Sequence, residues 1–322
     1  MISWLSRNAI GFTKSRTLTG WTLTLAVSFV VMVGEGCSLP GRQLQEEANT
    51  LGLEGKYDQA IPLVQRALAI REKELGPDHQ HTAMLLTDLA ELYRAKGAYT
   101  QAEPLYQQAL AIWEKKLGPN HPLIAAGLSN LAVLYHAQGT YAKAELLHQQ
   151  AVTIAINRLG LDHTGTAMVL NRQAMFYWTT GAYTQAEMLL QRALAIREKM
   201  FGLEHPATAE SLSNLGALYG TMEVYAQAEP LFQRALAIRE KVMGPEHPAT
   251  AESLNNLAEW HRRTAAYRQA EPLFQRALAI QEKVLGPEHP ATANTLNNLA
   301  ELYRRTGSHP QAELLFQRAL AI

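Results

Sequence analysis

The sequence predicts an all-α solenoid of seven helical hairpins. One observation carries most of this. The segment AEPLFQRALAI stands at Ala228–Ile238 and Ala270–Ile280, and recurs as AELLFQRALAI at Ala312–Ile322 and AEPLYQQALAI at Ala102–Ile112. Weaker copies begin at Ala60, Ala144 and Ala186, and the alanines at 67, 109, 151, 193, 235, 277 and 319 keep a strict spacing of 42 residues. A fixed period in this range marks stacked supersecondary units rather than a closed core. The second observation is helical periodicity inside each unit. Leu296, Leu299, Ala300 and Tyr303 share one helical face, and Ala312, Leu315, Phe316, Ala319 and Leu320 share another after the stop at Gly307. So short a link requires the two helices to run antiparallel.

Composition is compatible with this. The chain has 322 residues, 47% hydrophobic and 18% charged, an ordinary globular balance. Lys and Arg number 29 against 29 Asp and Glu, so no global basic field points to nucleic acid. The single cysteine, Cys37, excludes an internal disulfide framework.

Residues 1–40 stand outside the repeat and read as a signal peptide or membrane-targeting leader; residues 41–322 form the array. Arg7, Lys14 and Arg16 precede the apolar run Trp21–Val33, and small residues surround Glu35 at Gly34 and Gly36. That is the layout of an export signal, and the run is short for a membrane-spanning helix of ~20 residues. Cys37 after Gly36 resembles the acylated cysteine of a bacterial lipoprotein, although Gly34 replaces the aliphatic residue favoured three positions before it. Four fates follow: lipid attachment at Cys37, plain secretion, an uncleaved anchor, or no targeting role at all. The expected location is therefore an exported bacterial protein, membrane-anchored or periplasmic/secreted.

Each element has a local rationale. In GPEHP, Gly286 ends one helix and Pro290 opens the next, where its missing donor costs nothing. Pro230 and Pro272 are expected near the N-terminal turn of a second helix. Ala258, Ala270 and Ala277 mark close helix approach. The first copy is degenerate, with Glu47 and Leu51 at core positions, as a capping unit would be. Gln173 and His261 replace a core leucine and tyrosine. The last copy breaks off in mid-helix at Ile322, which is read as a truncated array or as a surface for end-to-end self-association.

Leu296-x2-Leu299-Ala300-x2-Tyr303 followed by Ala312-x3-Phe316-x2-Ala319 resembles the tetratricopeptide repeat. Eight extra residues after the second helix, as in REKVMGPEHPATA from Arg239, together with LNNLAELY from Leu296, are similar to the long repeats of kinesin light chains. The resemblance implies a superhelix whose first helices line a concave groove that binds a protein or an extended peptide. It also implies that asparagines one residue before the second core leucine hydrogen-bond a peptide backbone. Those positions are Asn130, Asn214, Asn256 and Asn298; Asp88 and Arg172 interrupt the row.

Other groove candidates come from variability between copies. The residue after the tyrosine position reads Arg94, His136, Trp178, Gly220, Arg262 and Arg304. Met175 and Trp178 offer an apolar anchor, while Arg262, Arg263, Arg304 and Arg305 either take an acidic segment or are neutralised by Glu259 and Glu301 on the same helices.

Chemistry is not expected. Histidines at 79, 121, 163, 205, 247 and 289 recur once per repeat, too far apart to converge on a metal. No phosphate-binding, dinucleotide, zinc-protease or serine-hydrolase motif occurs in the repeats. The chain is expected to be a non-catalytic binding scaffold without cofactor or metal, and no heptad coiled coil precedes the array.

Overall fold

A computed structural model of the chain describes residues 39–322, with side chains from Gly41 onward. Cys37 and nearly all of the leader lie outside the described residues, among which no helix is long and apolar enough to cross a membrane. All regular structure described is helical.

Two compact units divide at Gly160. In the first, three hairpins are formed by α1 (Leu39–Leu53) with α2 (Tyr57–Leu75), α3 (Gln80–Ala95) with α4 (Tyr99–Leu117), and α5 (Pro122–Ala137) with α6 (Tyr141–Leu159). The second holds four: α7 (Thr164–Thr179) with α8 (Tyr183–Phe201), α9 (Pro206–Thr221) with α10 (Tyr225–Met243), α11 (Pro248–Arg263) with α12 (Tyr267–Val284), and α13 (Pro290–Thr306) with α14 (His309–Leu320). Helix α1 begins two residues before Gly41, where the sequence places the start of the array.

The alanines set the spacing between helices. Ala60, Ala102, Ala144, Ala186, Ala228 and Ala270 are all fully buried on successive second helices. A methyl group is the largest side chain that such a close approach accepts. Larger residues fill the spaces beside them: Val64, Leu85 and Leu89 in the first unit, Phe232 with Leu218 and Phe274 with Leu299 in the second.

Polar contacts explain why the second-helix segment is so constant. Its Glu and Gln grip the tyrosine of the next first helix. Tyr135 donates to Glu103 at 2.9 Å; Tyr219 donates to Glu187 at 2.7 Å and accepts from Gln191 at 3.0 Å; Tyr303 repeats this with Glu271 and Gln275 at 2.8 and 3.2 Å. His261 takes the tyrosine position of its repeat, and its buried Nδ1 has no hydrogen-bond partner. A second compensation was not visible as a motif. Buried Arg197 and Arg239 donate to Ser211 and Ser253 at 2.9 and 3.0 Å, whereas Trp113 stands at the equivalent place opposite Gly127. A Cβ on Gly127 would lie 2.7 Å from Leu110 and 3.0 Å from Trp113, so any larger residue would have to push the leucine and the indole aside.

The prolines correct one expectation. Pro230 and Pro272 sit inside α10 and α12, at the sixth helical residue, not in the first turn. Both are exposed, and each leaves the carbonyl four residues earlier, of Ala226 or Arg268, without its helical donor on the exposed side of the helix.

Within hairpins, the turn needs one residue with positive φ. Gly97, Gly139, Gly181 and Gly307 supply it, but Glu223 and Ala265 adopt φ 61° instead. A side chain in this region costs ~1 kcal/mol. Ala265→Gly is therefore expected to raise the chemical-denaturation midpoint of the full chain, by a gain of about 0.5–1 kcal/mol, while Gly307→Ala loses a similar amount. A lowered midpoint for Ala265→Gly would contradict the turn assignment.

Neighbouring first helices are stitched by side chains 43 residues apart. In the first unit Gln45 donates to Asp88 at 2.7 Å. Burial raises the Asp88 carboxyl to about 6, against the pull of the Gln45 hydrogen bond, with Glu91 nearby adding to the rise. A carboxyl raised above its unfolded value of 3.8 destabilises the fold as pH climbs from about 4 to about 6, and the cost is fully present at neutral pH. Asp88→Asn keeps an acceptor for Gln45 and is expected to gain about 1–2 kcal/mol at pH 7 while flattening the stability profile between pH 4 and 6. Unchanged slope in a pH series of melting curves would count against it.

Candidate functional site

The loops between repeats are structural. Each recurring histidine is the N-cap of a first helix: Nδ1 of His79, His121, His163, His205, His247 and His289 accepts from the backbone N–H two residues on, at 3.0–3.2 Å. Thr82, Thr208, Thr250 and Thr292 close the same loop by donating to a glycine carbonyl at 2.8–2.9 Å. No group of three or more potential metal ligands is gathered among the described residues.

What varies lies on the first helices. In the first unit, Asn130 on α5 is buried and already engaged in contacts. Arg94 on α3 is buried too, bound through both arms of its guanidinium to Glu91, which also accepts from Tyr106 at 2.7 Å. This pairing keeps the guanidinium charged despite burial.

In the second unit, three asparagines of the row are half-buried: Asn214 on α9, Asn256 on α11 and Asn298 on α13. Two of them turn sideways. Asn214 donates to Asn171 at 3.0 Å and Asn298 donates to Asn255 at 3.1 Å, leaving each its own carbonyl oxygen. Asn256 differs. The residue 43 positions before it is Ser213, too short for the same bond; the buried Ser213 hydroxyl and the Asn256 amide have no hydrogen-bond partner among the described residues. Asn171 and Asn255 were not singled out from sequence, although doubled polar residues at 255–256 and 297–298 signal a stitch beside the row.

The apolar candidates separate. Met175 on α7 is buried, whereas Trp178, one turn on, is half-buried and rests one face on the cluster around Leu215 and Leu218. The arginines separate as well. Arg262 is buried and forms a two-armed pair with Glu259, both contacts 2.7 Å, with Glu301 3.7 Å away. Arg304 and Arg305 are exposed and share Glu301, at 2.7 and 2.9 Å. These two hold the Glu301 carboxyl below its usual range, Arg304 first. Two carboxylates thus serve three arginines, and the side that faces water keeps a surplus positive charge.

The profile of the tetratricopeptide repeat matches residues 44–115, 82–157, 165–241, 221–283 and 266–322. No curated protein matches the chain. Among solved structures, a putative kinesin light chain of Podosopora anserina with nearly identical repeats is 29% identical, over 64% of this chain and 97% of that one, at a TM-score of 0.53. BtubC (BKLC) from P. vanneervenii is 23% identical, over 77% and 93%, with a TM-score of 0.56. The Rap conjugation gene regulator of plasmid pLS20, solved with the Phr* peptide, shares the fold at 14% identity, over 86% and 72%, with a TM-score of 0.62. With the hairpins, the alanine spacing and the profile in agreement from residue 44 onward, the chain belongs to the tetratricopeptide repeat family, in the 42-residue form of kinesin light chains.

Proposed function

We propose that the protein is a non-catalytic scaffold whose first-helix face binds an extended segment of another protein. The observation that carries this is the orphaned pair on α9 and α11. A buried hydroxyl without a partner costs about 1–3 kcal/mol, and a half-buried amide offers both a donor and an acceptor beside it. A peptide backbone supplies the complementary groups whatever its sequence, so Asn214, Asn256 and Asn298 are assigned to backbone recognition. Trp178 is the apolar anchor. Arg304 and Arg305 favour an acidic residue of the ligand, while Asn130, Met175 and Arg262 act from beneath the surface. The peptide complex of the Rap regulator is a precedent for ligand binding by this fold.

A second reading, self-association, has its own observation: Leu314, Phe316 and Leu320 of α14 are exposed, Leu320 by 89%. Export with acylation at Cys37 is the proposed location; fatty-acid labelling that persists in Cys37→Ser would refute the attachment site.

The test is selection of binding peptides from a random library on the full chain, followed by titration of variants. Asn256→Ala is expected to weaken a selected peptide about tenfold, and Arg304→Gln with Arg305→Gln to abolish its salt dependence. Undiminished binding by Asn256→Ala would sink the amide assignment. Concentration-dependent mass in sedimentation, lost on Leu320→Glu, would favour self-association instead.

A further inference from the structure

The second-helix face carries a ladder of guanidinium seats, and glutamine replaces the arginine at two of them, Gln108 opposite Glu72 and Gln150 opposite Glu114; the second of these opens onto a groove. In the second unit, Arg276 reaches back to the preceding repeat, where it binds Glu240 at 2.7 Å and the carbonyl of Pro245 at 3.3 Å. Arg234 does the same one repeat earlier, with Glu198 at 2.8 Å and the Leu203 carbonyl at 3.5 Å, and Arg318 pairs with Glu282 one repeat later. A seat therefore consists of a carboxylate at the end of one second helix and a carbonyl in the loop that follows it.

In the first unit, the matching carboxylate is Glu114, the matching loop residue is Pro119, and the matching arginine is Gln150. The exposed side chains of Glu114 and Gln150 make no hydrogen bond or ion pair among the described residues. Glu114, Pro119 and Gln150 line an open groove of about 460 Å³, together with Leu128, Leu146 and Ile154. The groove is mostly apolar apart from the carboxylate and glutamines. Leu146, on its rim, is 55% exposed.

We propose that this groove binds the arginine side chain of a partner protein, in a segment where an aliphatic residue flanks the arginine. The chain itself shows what the seat takes, since a guanidinium fills the equivalent position in three other repeats. A lysine ammonium is a poorer fit, because one planar group must meet both a carboxylate and a carbonyl. The aliphatic neighbour covers Leu146 and Ile154. Leu128 of α5 adds to its lining, but the groove holds none of the residues assigned to the peptide above, so it stands or falls independently of them.

The experiment is methyl-resolved NMR of the full chain, following Leu128, Leu146 and Ile154 during titration with acetyl-Leu-Arg-Leu-amide. Saturable shifts are expected, at least about fivefold weaker with lysine and about tenfold weaker with citrulline, which keeps the shape but loses the charge. Gln150→Arg fills the seat from within and is expected to abolish the shifts without lowering the melting temperature. Glu114→Gln, an exposed change that spares packing, is expected to abolish them too. Equal binding of the citrulline peptide, or shifts that survive Gln150→Arg and Glu114→Gln, would overturn the proposal. A wild-type dimer that Gln150→Arg converts to monomer would also overturn it, by identifying the occupant as an arginine of a second copy.

Discussion

Everything described depends on how closely the helices approach at the second-helix alanines. Six of them, from Ala60 to Ala270, have no accessible surface. A side chain one methylene larger has no space there, and the strain would spread to both neighbouring helices. Because the spacing is set by the smallest residues, it is the same in every repeat. Longer side chains then meet at fixed distances, which is why the tyrosine, glutamate and glutamine contacts recur with nearly the same geometry at Tyr135, Tyr219 and Tyr303.

A constant frame confines variation to places where it does no structural harm. On first helices these are the row from Asp88 to Asn298 and the residues one turn beyond it. On second helices they are the seats that hold arginine on α10, α12 and α14 and glutamine on α4 and α6. Charge is treated differently at different depths. Buried Arg94 and Arg262 each have a two-armed carboxylate of their own, as desolvation demands. Exposed Arg304 and Arg305 share one, and there water does the remaining work.

Most of the fold was legible in the sequence because period and helical spacing are local signals. The helix start at Pro290 and the stop at Gly307 agree with the structure for that reason. The prolines at 230 and 272 lie deeper in the helix than expected because the second helices start at Tyr225 and Tyr267, where no side-chain cap marks the first residue in the sequence. The site was less legible. Whether Asn256 is orphaned and Asn298 is not depends on the partner 43 residues earlier, serine in one case and asparagine in the other. Similarly, burial of Met175 and exposure on Trp178 differ by less than one helical turn. Single-residue spacing cannot rank such neighbours; packing against the next repeat does.

The near identity of the second helices has a kinetic consequence. AEPLFQRALAI of α10 and of α12 present the same surface to whatever docks on them. During folding, a first helix that skips one repeat and pairs 42 residues out of register meets the same alanines, the same glutamate and the same glutamine. Such a slip forfeits little contact energy and forms a trap of the kind common to tandem arrays. The residues that penalise it are the irregular ones, His261 in place of tyrosine and Ser213 in place of asparagine. The departures from the repeat thus give each copy an address, and through it the chain finds its order.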